Sequence, residues 1–132
     1  MRAYDTDTLL FFNEHPGALP LFSALEDRIL ARFPETQKRV QKTQISYYHR
    51  HVFACVSFAR VKRKAELPPT WLTLTLGLPY PLESGRAAVK TEVYPGRWTT
   101  HLVLGSEAEI DDELLGWLAE AYDYSEAGGK RR

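Results

Sequence analysis

The eight residues WLTLTLGL, Trp71 to Leu78, carry the clearest structural pattern in this chain. Every second residue from position 72 to position 78 is a leucine, and two threonines and a glycine stand between them. Successive side chains of a β-strand point to opposite faces of the sheet. The stretch therefore predicts a strand with one face in a hydrophobic core and a polar opposite face, as in an antiparallel sheet that helices cover on one side.

Four other segments show the same period of two and complete the predicted sheet. A His-Arg-His turn and the basic, proline-ended loop VKRKAELPP separate the earlier strands, and Pro-Gly separates the last two. The four predicted strands are Val40–Tyr48, Val52–Arg60, Ala87–Tyr94 and Arg97–Leu104.

Helical spacing appears at both ends of the chain. Residues 6–8 cap a short predicted helix, and a longer one runs from Pro20 to Pro34 with apolar residues spaced by three and four. A third helix follows either a capping box at residues 106–109 or a cap at Asp111. These elements predict an α+β fold, with about five antiparallel strands and the N- and C-terminal helices packed on one face. We expect a single domain at residues 1–126 and a flexible basic tail at residues 127–132.

The composition excludes several classes of protein. With one cysteine, Cys55, the chain has no disulfide framework and no multi-cysteine metal site. Cys55 lies in the apolar segment FACVSF, so we expect a buried core thiol. No apolar run reaches the roughly 18 residues of a membrane span. The N-terminus lacks the features of a signal peptide, so we expect a cytoplasmic protein with no membrane partner.

The charges are unevenly distributed although the net charge is zero. Residues 36–64 contain eight basic residues and no acid, whereas residues 107–126 contain eight acids and no base. Two interpretations remain open. In the first, the acidic helix lies near the basic strands and their electrostatic fields partly cancel. In the second, the basic residues form a face that binds an anionic ligand.

The segment TEVYPGRWTTHL, Thr91 to Leu102, predicts a hairpin in which Tyr94 faces Arg97 across Pro95-Gly96. Because Pro-Gly favours a type II turn, the register is open by one residue. On the simple register one face, the core face, holds Val89, Val93, Trp98, Leu102 and Leu104. The other face, a polar one, holds Lys90, Glu92, Tyr94, Arg97, Thr99 and His101.

A polar face of this kind predicts a binding site for an anionic small molecule or a carboxylate, although a plain solvated surface remains the alternative. Period alone does not decide which side of the strand at residues 40–48 joins this face; we assign its even-numbered polar residues to it, beside Thr73 and Thr75. In the predicted site, Lys42 and Arg97 neutralise the charge of the ligand. The amide of Gln44 and the hydroxyls of Ser46 and Tyr94 form hydrogen bonds with the ligand. The imidazole of His101 tunes its binding.

Two other functions use the same residues or the basic loop. An enzyme would use Glu92 and His101 as acid and base. An interaction or nucleic-acid-binding domain would use residues 60–64, but net neutrality and a pI near 6.9 disfavour nucleic acid. The four histidines lie on different elements and no glycine-rich phosphate loop is present, so we predict neither a metal nor a cofactor. Both a monomer and a homodimer remain open.

Several motifs together resemble a bacterial family of small proteins that carry a domain of unknown function. They are VQKTQISYYHRHVFACVSF at residues 40–58, TLGL at 75–78 and EVYPGRWTTH at 92–101, followed by the EIDDELLGWL helix. The family pattern has a second histidine where this chain has Thr100, and usually a proline where it has Val93. The resemblance implies no established activity. At fold level it also implies a likeness to frataxin-like small domains, with helices on a curved sheet.

Overall fold

A computed structural model describes residues 4–127 of the chain. Of the predicted tail at 127–132, Ala127 is the C-cap of the last helix, and the other five residues lie outside the described residues. The helices are α1 (Thr6–Phe11), α2 (Leu19–Arg32) and α3 (Asp112–Glu126). The strands are β1 (Gln37–Val40), β2 (Gln44–Tyr48), β3 (Val52–Ser57), β4 (Leu72–Leu78), β5 (Ala87–Tyr94) and β6 (Arg97–Leu104). Single 3₁₀ turns lie at Pro16–Ala18, Lys64–Glu66 and Glu107–Glu109.

The strands form one antiparallel sheet in the order β1-β2-β3-β4-β6-β5. The α+β class and the antiparallel sheet are confirmed. The sheet has six strands, not about five, because the segment predicted as one strand from Val40 to Tyr48 contains a turn. Residues 41–43 form that turn, and the backbone N–H of Gln41 donates to the carbonyl of Gln44. No glycine or proline marks it, so the sequence carries no ordinary turn signal there.

Strand β4 is the centre of the sheet, and its leucines form the floor of the core. Leu72, Leu74 and Leu78 are fully buried and Leu76 is 1% exposed. Helix α3 packs across β3 and β4, and its buried residues belong to the same hydrophobic cluster as those of α2. The core therefore lies on the leucine side of β4, and the opposite side of the sheet is called the open face below.

One carboxylate is buried on the inner side of α2. Glu26 is only 2% exposed, and it accepts a hydrogen bond of 2.9 Å from the hydroxyl of Tyr47. Lys38 Nζ lies 3.1 Å from the same carboxylate and also donates to Thr8 at 3.2 Å. A buried charge is tolerated when it is paired and hydrogen-bonded, as Glu26 is here. The four side chains come from α1, α2, β1 and β2, so this cluster joins these elements through one set of polar contacts.

The β5–β6 hairpin follows the predicted register only at its tip. Tyr94 faces Arg97 as expected, but an irregularity between Glu92 and Tyr94 adds one residue, and Glu92 then faces Trp98. Directly opposed residues share a face. Residues 89–92 of β5 therefore lie on the face opposite to the predicted one. A second irregularity, between Ala87 and Val89, places Ala87 on the helix side opposite Leu102.

Because of the bulge, several residues of the hairpin do not lie on the predicted face. Glu92 and Lys90 lie on the helix side, and Lys90 Nζ donates to the carbonyl of Leu82 at 2.9 Å. Val89 lies on the open face, opposite His101. Trp98 is on the helix side opposite Leu78, as predicted, but it is only half-buried and stands outside the core cluster.

Candidate ligand site on the open sheet face

A single row of side chains crosses the open face from one edge of the sheet to the other. Its members are directly opposed from strand to strand, and neighbouring strands are about 4.8 Å apart. Four polar side chains of the central strands occupy the middle of the row. From β1 to β5 the row reads Arg39, Ser46, Cys55, Thr75, His101 and Val89. Ser46 and His101 thus lie on one face, as the sequence predicts.

The β2–β3 part of the row forms a small hydrogen-bonded cluster. The amide of Gln44 donates to Ser46 Oγ at 3.0 Å and lies 3.5 Å from Cys55 Sγ, and Ser46 Oγ is 3.6 Å from that sulfur. Gln44 and Ser46 are therefore together on the open face, as predicted. Ser46 is 2% exposed, whereas Gln44 and Cys55 are half-buried.

The predicted position of Cys55 in the core is wrong, because Cys55 belongs to this cluster on the open face. Both faces of β3 carry mostly small or apolar residues, so its period could not be read from the sequence. Burial raises the pKa of the Cys55 thiol above its usual range, while the Ser46 hydrogen bond and the Arg97 charge act in the opposite direction. The thiol therefore stays protonated at neutral pH, and a protonated thiol is a poor nucleophile.

Thr75 and His101 form the second half of the row. Thr75 Oγ1 lies 2.8 Å from His101 Nδ1, and both side chains are half-buried. Burial lowers the pKa of His101, so the ring is neutral at pH 7. Thr75 contacts Nδ1 of the ring, and the other ring nitrogen, Nε2, has no hydrogen-bond partner among residues 4–127. Nε2 is therefore available to a ligand.

We expect the imidazole of His101 to titrate below its ordinary midpoint of about 6.5. Since burial lowers its pKa in the folded state, the unfolded chain binds the proton more readily. The stability from the neutral ring is present above about pH 6.5 and is lost as the pH falls through the folded-state pKa. An NMR titration of the ring, assigned with His101→Gln, measures this. A midpoint at or above 6.5 would contradict a buried, neutral ring.

Arg97 lies in β6 four residues before His101, and its guanidinium is beside Gly77 of β4. A Cβ atom at Gly77 would stand 2.6 Å from Nη2 of Arg97, so the guanidinium fills the space that a side chain at position 77 would need. Thr75 precedes Gly77 by one side-chain position on the same face, about 7 Å along the strand. The ring of Tyr124 lies 5.6 Å from the guanidinium, and Tyr124 donates to the carbonyl of Gly96 in the hairpin turn.

Arg97 differs from the other half-buried cations of the described chain. Among residues 4–127 the half-buried lysines and arginines are Lys38, Arg86 and Arg97. Lys38 is paired with Glu26, and Arg86 is paired with Asp111 and Glu113 at 3.0 Å each. Arg97 has no carboxylate partner within the described residues. Its charge is therefore not neutralised by this part of the chain.

Two predicted site residues lie elsewhere. Lys42 is in the turn between β1 and β2, where strand alternation does not apply, and it lines a small cleft with Asp7 and Phe11 of α1. Glu92 is exposed on the helix side of the edge strand and accepts from the backbone N–H of Gly96 at 3.2 Å. The predicted placement of Lys42 and Glu92 with His101 is wrong. Tyr94 shares the hairpin tip with Arg97 and is 49% exposed.

The family of the chain follows from comparison with known domains. The model of a family described as a domain of unknown function, DUF5655, matches residues 10–125. The chain belongs to this family. The match confirms the resemblance to a family of unknown function. A search of curated proteins found no match, and a search of solved structures found none either.

Strand geometry decides where a side chain at position 100 points in this DUF5655 chain. Thr100 and His101 are adjacent in β6, so their side chains point to opposite faces. Thr100 is fully buried on the helix side, and its hydroxyl has no partner among residues 4–127. A histidine at position 100 would therefore lie in the core and would not join His101 on the open face.

Two further observations bear on metal and membrane partners of this DUF5655 chain. Within residues 4–127, no three His, Cys, Asp or Glu side chains converge to hold a metal ion. No helix in the same residues has both the length and the apolar character needed to cross a bilayer. His49 instead lies between two carboxylates, with Nδ1 at 2.9 Å from Glu126 and Nε2 at 3.3 Å from Glu35.

Proposed function

We propose that the protein is a small binding module whose open sheet face accepts a carboxylate or a similar anion of a small molecule. The observation that carries the proposal is the position of Arg97. Its guanidinium lies over Gly77 and has no carboxylate partner among residues 4–127. A half-buried cation without a counter-ion favours the binding of an anion from outside the chain.

The groups around Arg97 suit a planar anion. A guanidinium can donate two parallel hydrogen bonds to one carboxylate, which fixes the orientation of the ligand as well as its charge. His101 Nε2 faces the same surface and offers a donor when Thr75 donates to Nδ1. Beyond this pair, the Gln44, Ser46 and Cys55 cluster continues the row and would contact the rest of the ligand.

The open face favours binding over acid–base catalysis. Glu92 is the only acidic residue in the six strands, and it lies on the helix side, away from His101. General acid–base work needs a positioned proton donor and acceptor within hydrogen-bond reach of the substrate. The strands offer His101 no carboxylate partner on its own face, and the Cys55 thiol is protonated. These features support a site that binds without turning over its ligand.

The test is a thermal-shift screen of the purified protein with mono- and dicarboxylates and inorganic phosphate. We expect at least one anion to raise the melting temperature, because a ligand at a hundred times its Kd adds about 2.7 kcal/mol. Arg97→Ala should abolish the shift. Lys42→Ala is the matched control, since it removes one positive charge at an exposed position outside the site and should leave the shift unchanged. A shift lost equally in both variants would point to overall charge and contradict the proposed site.

Gly77→Ala provides a second, independent test of the Arg97 position. The new methyl group would meet the guanidinium, and because this is the far end of a flexible side chain it should swing away. We expect a protein that folds but binds the anion at least tenfold more weakly, which corresponds to about 1.4 kcal/mol. Isothermal titration calorimetry with the anion from the screen measures the loss. Unchanged affinity would show that the ligand does not depend on the guanidinium over Gly77.

A further inference from the structure

A second cleft lies at the other end of the sheet and combines aromatic rings with two cations. Its volume is about 460 Å³, which is within the range of small-molecule pockets. Its lining residues are His15, Phe58, Arg60, Lys64, Leu67, Pro68, Pro69 and Trp71. A smaller cleft of about 190 Å³ shares His15, Pro69 and Trp71 with it, so the two form one continuous depression.

Three rings in this region form a stack that ends in solvent. The ring of Phe58 stacks with Phe11, at a centroid distance of 5.7 Å and an angle of 26°, and with His15, at 3.9 Å and 17°. Trp71 meets Phe58 and His15 edge-on. His15 is exposed although one face of its ring covers Phe58. Its outer face is therefore open to a fourth ring, in a cleft that already holds an indole edge.

The two cations of the cleft differ from their neighbours in the same loop. Arg60 and Lys64 line the cleft and have no ion-pair partner among residues 4–127. Arg63, between them in sequence, is paired with Glu66 at 3.3 Å, and neither Arg63 nor Lys62 lines the cleft. The spacing of Arg60 and Lys64 thus places two unpaired positive charges beside the end of the ring stack.

We propose that this cleft binds a planar aromatic ring that carries a phosphate, that is, a small ligand of the nucleoside monophosphate class. The base would stack on the outer face of His15, since stacking on an aromatic ring tolerates any base. The phosphate would pair with Arg60 and Lys64 through charge-assisted hydrogen bonds.

This cleft is separate from the anion site around Arg97. Trp71 stands immediately before β4 and Gly77 stands near its end. Six residues of extended strand separate them, about 20 Å at about 3.3 Å per residue. The two proposals therefore fail independently, and a variant of either site serves as a control for the other.

The experiment is isothermal titration calorimetry of the full chain with AMP at low salt. We expect saturable binding that His15→Ala and the double variant Arg60→Ala/Lys64→Ala each weaken about tenfold or more. The double variant Lys62→Ala/Arg63→Ala removes the same charge from the same loop but not from the cleft, and should stay within about twofold of the wild-type Kd. Arg97→Ala should also leave AMP binding unchanged. All substituted loop positions are exposed, so these variants should fold, and a thermal melt of each checks this.

Three ligand arms separate the parts of the proposal. The arms use the Arg97→Ala variant, which removes the anion site proposed above. Adenosine and inorganic phosphate should each bind this variant more weakly than AMP; equal affinity of phosphate and AMP would show that the rings contribute nothing and would overturn the proposal. So would the absence of saturable binding to AMP, or equal losses in the two loop double variants. A short single-stranded oligonucleotide that binds a hundredfold more tightly than AMP would identify a nucleic-acid polymer as the ligand and overturn the assignment to a small molecule.

Discussion

Leu74→Asp should abolish the folded state. Leu74 is fully buried at the centre of β4, between β3 and β6 and under the helices. The substitution leaves an unpaired carboxylate in the core, which costs several kcal/mol. It also removes the packing of a leucine, worth about 2–5 kcal/mol. The sum matches the roughly 5–15 kcal/mol stability of a whole domain. Far-UV circular dichroism and a thermal melt should show no cooperative transition.

Thr75→Asp is the matched control, one residue further along the same strand. Thr75 is half-buried on the open face and lies beside His101, near the charge of Arg97. A carboxylate there is half-exposed and lies near the guanidinium of Arg97, so we expect a loss of about 1 kcal/mol or less, which is a few degrees in melting temperature. Equal damage from the two substitutions would mean that both faces of the sheet are covered, and that the open face is not a binding surface.

Lys38→Met should lower the free energy of unfolding by about 3 kcal/mol. Methionine preserves the length of the side chain that packs beside Tyr4 and Phe22, but it removes the charge that lies 3.1 Å from the buried carboxylate of Glu26. Breaking a buried pair by removing one partner typically costs about 3–5 kcal/mol. Lys38 is 23% exposed, so the lower end of that range applies. Urea denaturation measures the change.

A double variant that also removes the charge of Glu26 tests whether the loss in Lys38→Met comes from the unpaired carboxylate. In the double variant Glu26→Gln/Lys38→Met the amide keeps an acceptor for the hydroxyl of Tyr47 but carries no charge. We therefore expect the double variant to be more stable than Lys38→Met alone, by at least about 1 kcal/mol. Lys42→Met, at an exposed turn position, should change stability by less than about 0.5 kcal/mol. A double variant less stable than Lys38→Met would show that the carboxylate does not need its partner.

The open face could be predicted in part from local patterns. The alternation at residues 71–78 predicts which side of β4 is buried, and assigning Ser46 and His101 to the other side was correct. Cys55 could not be placed this way, because the residues on both sides of β3 are mostly apolar or small. Lys42 was misplaced because its turn carries neither glycine nor proline, and a period of two has no meaning inside a turn.

The hairpin shows how one inserted residue changes a predicted site. The sequence predicts the Tyr94–Arg97 pair at the tip correctly, since the Pro-Gly connection fixes it locally. The bulge leaves Val93 without a partner in β6, and nothing in the local alternation of residues 87–94 marks that position. Because the side-chain period is two, this one residue moves Glu92 from the face of His101 to the helix side. The predicted acid–base pair is lost for that reason alone.

The sequence by itself determined the class of fold, the buried face of β4 and the order of the helices and of five of the six strands, because these depend on periodicities within short segments. Tertiary structure alone decided which side chains meet. Thr73 has the same local pattern as Thr75, yet it is fully buried and donates to the carbonyl of Ala59 at 2.8 Å. Arg97 reaches the open face only because β4 brings Gly77 beneath it. Such contacts join residues distant in sequence, and their energies depend on packing, which no local pattern encodes.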